Sequence, residues 1–286
     1  MTNSQFFGLA TIGYVIAMII YIAYIVFKNK TIGLTATVVL AVSFVFQTIA
    51  FPMRWWESHE LGIGHAPFTN LYESLVFFVW CLTFGYLIIE FKYKNRFFGA
   101  FITPIAAMAL GFVSLTGMSQ EIQPLVPALQ SNWLLAHVTM SFIAYSAFAL
   151  SFATSLMYLI YTTDKRNEGA YIFWTISGGI FFIVIAAMAI DILWFKILHH
   201  SSSTAITNVL FRSTFLNPSR LVSLMSWIGS FVLLFIIWRY GYVLKRIIES
   251  FKITPETLDE LTYKIVAVGF PVFTLGGLIF GAIWAD

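Results

Sequence analysis

The sequence predicts an all-α integral membrane protein, a polytopic bundle of about eight transmembrane helices with both termini on the outer, periplasmic side. Three observations lead there. Hydrophobic residues fill 59% of the 286 positions and charged residues 10%, against roughly 25% charged in an ordinary soluble domain. Apolar runs long enough to cross a hydrocarbon core, about 20 residues, recur along the whole chain. The basic residues collect on alternate connections, which gives the bundle a direction.

Spans are predicted near 7–27, 32–53, 71–91, 97–117, 132–162, 170–194, 221–243 and 263–285, one membrane domain over 1–286. Met1 to Gln5 carries no positive charge and no small-residue cleavage site follows, so the first run reads as a retained helix rather than a signal peptide. Lys28 and Lys30 separate it from the second. The outer segment 54–70 then holds Arg54, Trp55, Trp56, His59, His65 and Asn70. Tyr72 and Glu73 open the third span, where a carboxylate is favoured by the helix N-terminus. Lys92, Lys94 and Arg96 lead to the fourth, and a second outer segment, 118–131, leads to the fifth. Lys165 and Arg166 precede the sixth, whose Asp191 reads either as a partner of Lys196 or as a residue with no important partner. A third outer segment, 196–220, contains His199 and His200 and reads as an irregular loop or short interfacial helix. Arg239, Lys245, Arg246, Lys252 and Lys264 surround the connection to the last span, with Thr254-Pro255-Glu256 as a helix-start signal. Twelve of the sixteen basic residues thus share one side, which the positive-inside rule makes the cytoplasmic side of the cell's inner (plasma) membrane. Gly178-Gly179 and the Gly277/Gly281 pair read as small-residue helix contacts.

Composition also limits the chemistry. Cys81 is the only cysteine, so the chain alone builds no disulfide, thiolate cluster or CxxCH motif. Nothing points to nucleic acid. His59 and His65 are six residues apart, a spacing that does not share a helical face, so no zinc-protease motif is present. His137 differs from the other histidines. It lies about five residues inside the fifth span, roughly 7 Å below the outer end at 1.5 Å per residue. An ionisable group at that depth faces the bundle interior and a partner. Two readings stand: a neutral imidazole bonded to a neighbouring helix, or a ligand to iron. Trp133, one turn earlier, shares its face and supplies an aromatic wall.

Three ordered blocks carry a family resemblance. Gly64-His65-Ala66-Pro67-Phe68-Thr69-Asn70-Leu71-Tyr72-Glu73-Ser74 resembles the GHxPxSNLYES signature of the CcsA/ResC cytochrome c biogenesis proteins, which are related to CcmC and CcmF. The stretch from Leu125 to Val138 resembles that family's VPALQSxWLxxHV, and Leu261 to Ala285 resembles the segment that ends GAIWA. The resemblance implies a membrane component of a haem lyase, or cytochrome c synthase. With a CcsB/ResB-like partner it would present reduced haem, non-covalent haem b, at the outer face to the CxxCH motif of apocytochrome c. It makes His137 an axial haem ligand and places the His65, Asn70, Tyr72 and Glu73 segment, with Trp133, near the haem site. The family's tryptophan-rich WWD segment and its later histidines are expected beyond Asp286, so this chain is expected to hold haem weakly and to be inactive alone. The stretch 170–249 reads as an extra helical pair, and His199 and His200 carry no family role.

Readings from other classes remain beside it. A transporter of haem or a small solute would need several polar groups at mid-membrane depth, and the spans look nearly bare of them. A b-type electron-transfer protein would show two membrane histidines on facing helices, where only His137 qualifies. A structural scaffold is the third.

Overall fold

The computed structural model describes residues 2–68, 70–116, 118–124, 130–163, 166–198 and 210–285. The expectations for His199, His200, Lys165, Asp286, Thr69 and the 125–129 part of the second block lie outside these residues. Ten α-helices run in order through the described chain: α1 (Asn3–Phe27), α2 (Lys30–Glu60), α3 (Leu71–Tyr93), α4 (Gly99–Thr116), α5 (Asn132–Thr162), α6 (Gly169–Asp191), α7 (Arg220–Tyr240), α8 (Tyr242–Ser250), α9 (Pro255–Phe273) and α10 (Phe280–Ala285). A single 3-10 turn, Arg96–Phe98, leads into α4, and π-wound segments, Ile192–Leu198 and Thr274–Ile279, extend α6 and join α9 to α10. Eight of the resulting rods are long and apolar enough to cross a membrane. The expected all-α multi-pass architecture is what the structure shows.

The chain forms two compact units, 1–110 with 119–153 and 262–286, and 111–118 with 154–261. In the first, α1 buries Phe7, Ala10, Tyr14, Ala17 and Tyr21, and α2 buries Gly33, Ala36, Leu40, Ser43, Gln47, Ala50 and Arg54. Both sets repeat at three and four residues, the spacing of one helical stripe. The small members let the backbones approach closely, as membrane helices need when hydrophobic burial gives no drive. A Cβ on Gly13 would overlap the Ser43 hydroxyl.

The spans are less bare than their hydropathy suggests. Glu90, near the basic end of α3, accepts from the Tyr21 hydroxyl at 2.7 Å and the Tyr86 hydroxyl at 2.5 Å. It also bonds the Thr37 hydroxyl and pairs with Arg96 at 3.4 Å. Deeper in, the Tyr14 hydroxyl donates to Gln47, whose amide donates to the Val76 carbonyl at 2.7 Å. These groups satisfy one another inside the α1–α2–α3 packing, which is how polar side chains survive out of water.

Helix ends differ from expectation where side-chain ties, not apolarity, set them. The second span was expected to stop at 53, with Arg54 to His59 in a loop, but α2 continues to Glu60. Arg54 is buried against Glu73 and Asn3 bonds Glu57, so two tertiary ties carry the helix past its apolar run. It then ends in a Schellman turn: Gly62 sits at φ 73°, and the N–H groups of Ile63 and Gly62 reach the carbonyls of Ser58 and His59, both at 3.0 Å. Glycine takes that left-handed position without a Cβ clash. The first span begins at Asn3 because Thr2 and Gln5 form a capping box. At the other end, α9 starts at the expected Pro255 signal, with the Thr254 hydroxyl accepting from Thr257 N–H. The predicted connection 249–262 therefore shrinks, and α8 is a helix that hydropathy left unrecognised.

In the second unit, α6 and α7 pack through Gly179, where a Cβ would stand 2.5 Å from Leu234. The Trp174 indole donates to the Thr163 hydroxyl at 3.0 Å, and the Tyr171 hydroxyl to the Trp238 carbonyl at 2.7 Å. The Asp191 carboxylate accepts from the backbone N–H groups of Phe211 and Ser213, at 2.5 and 2.9 Å. Fully buried, it anchors the segment before α7; the expected pairing with Lys196 involves a side chain outside the described ones.

Candidate functional site

The N-terminal half of α5 lies against the C-terminal rod of the first unit. Ser131 caps α5, its hydroxyl accepting from Trp133 N–H at 3.2 Å. That start sets the rotation of the helix and points His137 at the π-wound stretch between α9 and α10. Two glycines make the approach possible. A Cβ on Gly276 would overlap Met140, and one on Gly281 would stand 3.0 Å from the His137 ring. These two are five apart, the hydrogen-bond interval of a π-turn. The expected Gly277/Gly281 pair is thus corrected to Gly276/Gly281, because widening the helix turns Gly277 toward Phe273 of its own rod.

His137 Nδ1 lies 2.9 Å from the Gly276 carbonyl. A carbonyl only accepts, so Nδ1 carries a proton, and the neutral tautomer this bond selects is the one with its lone pair on Nε2. Nε2 has no hydrogen-bond partner among the described residues. Metal-ligating histidines are commonly oriented through a bond of this kind on the other nitrogen. The Trp284 ring lies nearly parallel to the imidazole, 16° between planes and 6.3 Å between centroids, and Trp133 contacts Phe280 at 5.4 Å. The half-buried imidazole is therefore surrounded by large aromatic surface. Residues of this chemistry fit one axial bond to haem iron and contact with a flat macrocycle.

The segment after α2 builds two further features. Asn70 caps α3 by accepting from Glu73 N–H at 2.8 Å. Glu73 then reaches Arg54, Oε1 to Nε at 2.7 Å, with both side chains at 4% exposure or less. The guanidinium lies 5.6 Å from the Tyr72 ring, and its buried Nη2 has no hydrogen-bond partner among the described residues. Glu73 is thus a buried ion-pair partner as well as a first-turn carboxylate. His65 fastens the loop from the other side. Its ring nitrogens face the carbonyls of Ala66 at 3.1 Å and Gln123 at 2.9 Å, and its own N–H bonds the Ser58 hydroxyl at 3.2 Å. In either neutral tautomer one ring nitrogen donates to one of these carbonyls.

Between this loop and α5 runs a groove of about 940 Å³, lined by Trp55, His65, Phe68 and Asn70 on one side and Leu134, Leu135, Val138 and Phe142 on the other. That is the upper end of the volumes typical of small-molecule and cofactor sites, roughly 300–1,000 Å³. His137 and Val138 are successive residues about 100° apart around α5. One face of the helix therefore meets the groove and the next meets the C-terminal rod.

The expected site residues separate into three places. His65 and Asn70 line the groove; Tyr72 and Glu73 belong to the buried Arg54 cluster; Trp133 and His137 face α9 and α10. Sequence reasoning missed Arg54 as the partner of Glu73, and Gly276, Phe280 and Trp284 as the surroundings of His137. The family-like segment ending GAIWA contained these last three, without saying what they touch.

Comparison with known proteins adds the context. The sequence pattern described as Cytochrome C assembly protein matches residues 68–286. A cytochrome c biogenesis protein CcsA from Porphyra purpurea is 32% identical over 99% of this chain and 74% of its own length. The CcsA of Pyropia yezoensis is 31% identical over 96% of this chain and 72% of its own. That of Microcystis aeruginosa is 29% identical over 82% and 60%. No solved structure matches the chain.

Proposed function

The chain belongs to the cytochrome c assembly protein family and acts in cytochrome c maturation as a multi-pass membrane protein; we propose that its part is to hold haem at the outer membrane face for attachment to apocytochrome c. The observation that carries this reading is the His137 imidazole, bonded through Nδ1 to the Gly276 carbonyl with Nε2 left without a partner. In this reading His137 is the axial ligand on one side of a non-covalently bound haem b. Trp133, Phe280 and Trp284 supply apolar contact for its plane. The bound haem supplies two vinyl groups, across each of which a cysteine S–H of CxxCH adds, forming a C–S and a C–H bond.

The protein's own contribution is positional. The Gly276 carbonyl fixes the tautomer and the aim of the imidazole. The aromatic shell and the apolar outer half of α5 exclude water. The groove on the next face of α5 gives an extended acceptor segment room beside the ligand, and the carbonyl bonds of His65 hold its rim. A CcsB/ResB-like membrane partner and apocytochrome c complete the reaction, and the surrounding bilayer is the inner (plasma) membrane, with both termini on its outer side. The chain is in this account one component of a haem lyase.

The test is cytochrome maturation in cells that make this chain with such a partner and a reporter apocytochrome carrying one CxxCH. Covalent haem on the reporter should disappear with His137→Ala and persist at reduced level with His65→Ala. Undiminished attachment with His137→Ala contradicts the reading.

A further inference from the structure

The basic connections of the second unit carry an arrangement that the proposed haem site does not use. At nine residues α8 is too short to cross a membrane, and it joins α7 to α9 as an amphipathic surface helix. Ile248 is fully buried while Val243 and Leu244 are exposed. The guanidinium carbons of Arg166 and Arg246 both lie 5.5 Å from the centroid of one ring, that of Tyr242. Arg246 reaches it from one turn along α8, and Arg166 from the connection between α5 and α6. Among the described residues no carboxylate lies within ion-pair distance of either, since the pairs there are Arg54–Glu73 and Arg96–Glu90. The ring quadrupole attracts each cation but leaves their mutual repulsion in place. The positive-inside rule asks only for charge on this side of the membrane, not for two arginines converging on one side chain.

We propose that Arg166 and Arg246, stacked on Tyr242, bind the phosphodiester headgroup of an anionic phospholipid in the leaflet on the basic side. Arginine suits phosphate because its planar fork donates two parallel hydrogen bonds while its face stacks on an aromatic ring. The exposed apolar side chains of Val243 and Leu244, on the same short helix as Tyr242 and Arg246, suit acyl chains and not a free anion. The site is independent of His137 and stands whether or not haem is held there.

Native mass spectrometry of the purified protein, released from mixed phosphatidylglycerol and phosphatidylcholine, reads the lipid that stays bound. Wild type should retain phosphatidylglycerol over phosphatidylcholine by about thirtyfold, from two basic groups at the surface. R166Q/R246Q should lose that preference, whereas K30Q/K94Q, which removes equal charge elsewhere on the same side, should keep it. R166K/R246K retains the charge and so separates misfolding from loss of the fork; it should bind more weakly than wild type. Equal retention by wild type and R166Q/R246Q overturns the proposal, as does equal loss with K30Q/K94Q. Displacement of the lipid by millimolar inorganic phosphate, an outcome that would mark a free-anion site, overturns it too.

Discussion

Arg54 and Glu73 show what a single pair of residues does here. A guanidinium and a carboxylate, both nearly inaccessible, meet at 2.7 Å at the outer end of α2 and α3. Arg54 Nη2 is left without a partner, so the pair is charge-matched but not fully hydrogen-bonded. Removing one member of a buried pair leaves the other charged and unpaired, a cost of about 3–5 kcal/mol, while replacing both by apolar residues is often neutral. Glu73→Gln should therefore lower the thermal unfolding temperature in detergent, and Arg54→Met with Glu73→Leu should recover most of the loss. Equal destabilisation by the single and double changes would show that packing, not charge, is at stake. Glu73 was visible in the sequence as a carboxylate opening a span, because the pull of a helix N-terminus is local. Its ion pair was not, because Arg54 stands nineteen positions away with no periodic relation to it.

Among the elements, the C-terminal rod has a conformation that hydropathy does not encode. It is helical from Pro255 to Ala285, but the π-wound Thr274–Ile279 gives Gly276 and Gly281 a common contact with α5. Gly276→Leu should drive the rod away from Met140, break the His137–Gly276 bond and reduce haem retention, with helix content by circular dichroism unchanged. Unchanged retention would mean that the rod does not position the imidazole. The eight spans were legible because an apolar run of bilayer length is a strong signal, and the start of α9 because Thr-Pro-Glu is a local one. The continuation of α2 through Arg54 to Glu60, the separate helix α8 and the π-turn were not legible. Each depends on tertiary ties or on amphipathic spacing that a hydropathy average cancels. Asp191 marks the same boundary: its burial near the end of α6 was visible as an anomaly, but the N–H groups of Phe211 and Ser213 that receive it come from a loop with no motif.

For the whole molecule, the account requires one orientation. Twelve of sixteen basic residues fall on the side opposite His137 if the spans alternate, and the proposed function needs the aromatic platform and the groove to face outward. In a Cys81→Ala background, a cysteine at exposed Ser119 should react with a membrane-impermeant maleimide in intact cells, and one at exposed Glu249 only after permeabilisation. The reverse pattern would place the histidine on the wrong side for cytochrome assembly. The central claim is that the whole protein holds haem through His137, and the reduced visible spectrum of the purified protein tests it most directly. Wild type should show reduced haem absorption, His137→Gly should lose it, and added imidazole, filling the space left by the side chain, should restore it. Absorption unchanged in His137→Gly without imidazole would contradict the assignment of His137 as the iron ligand.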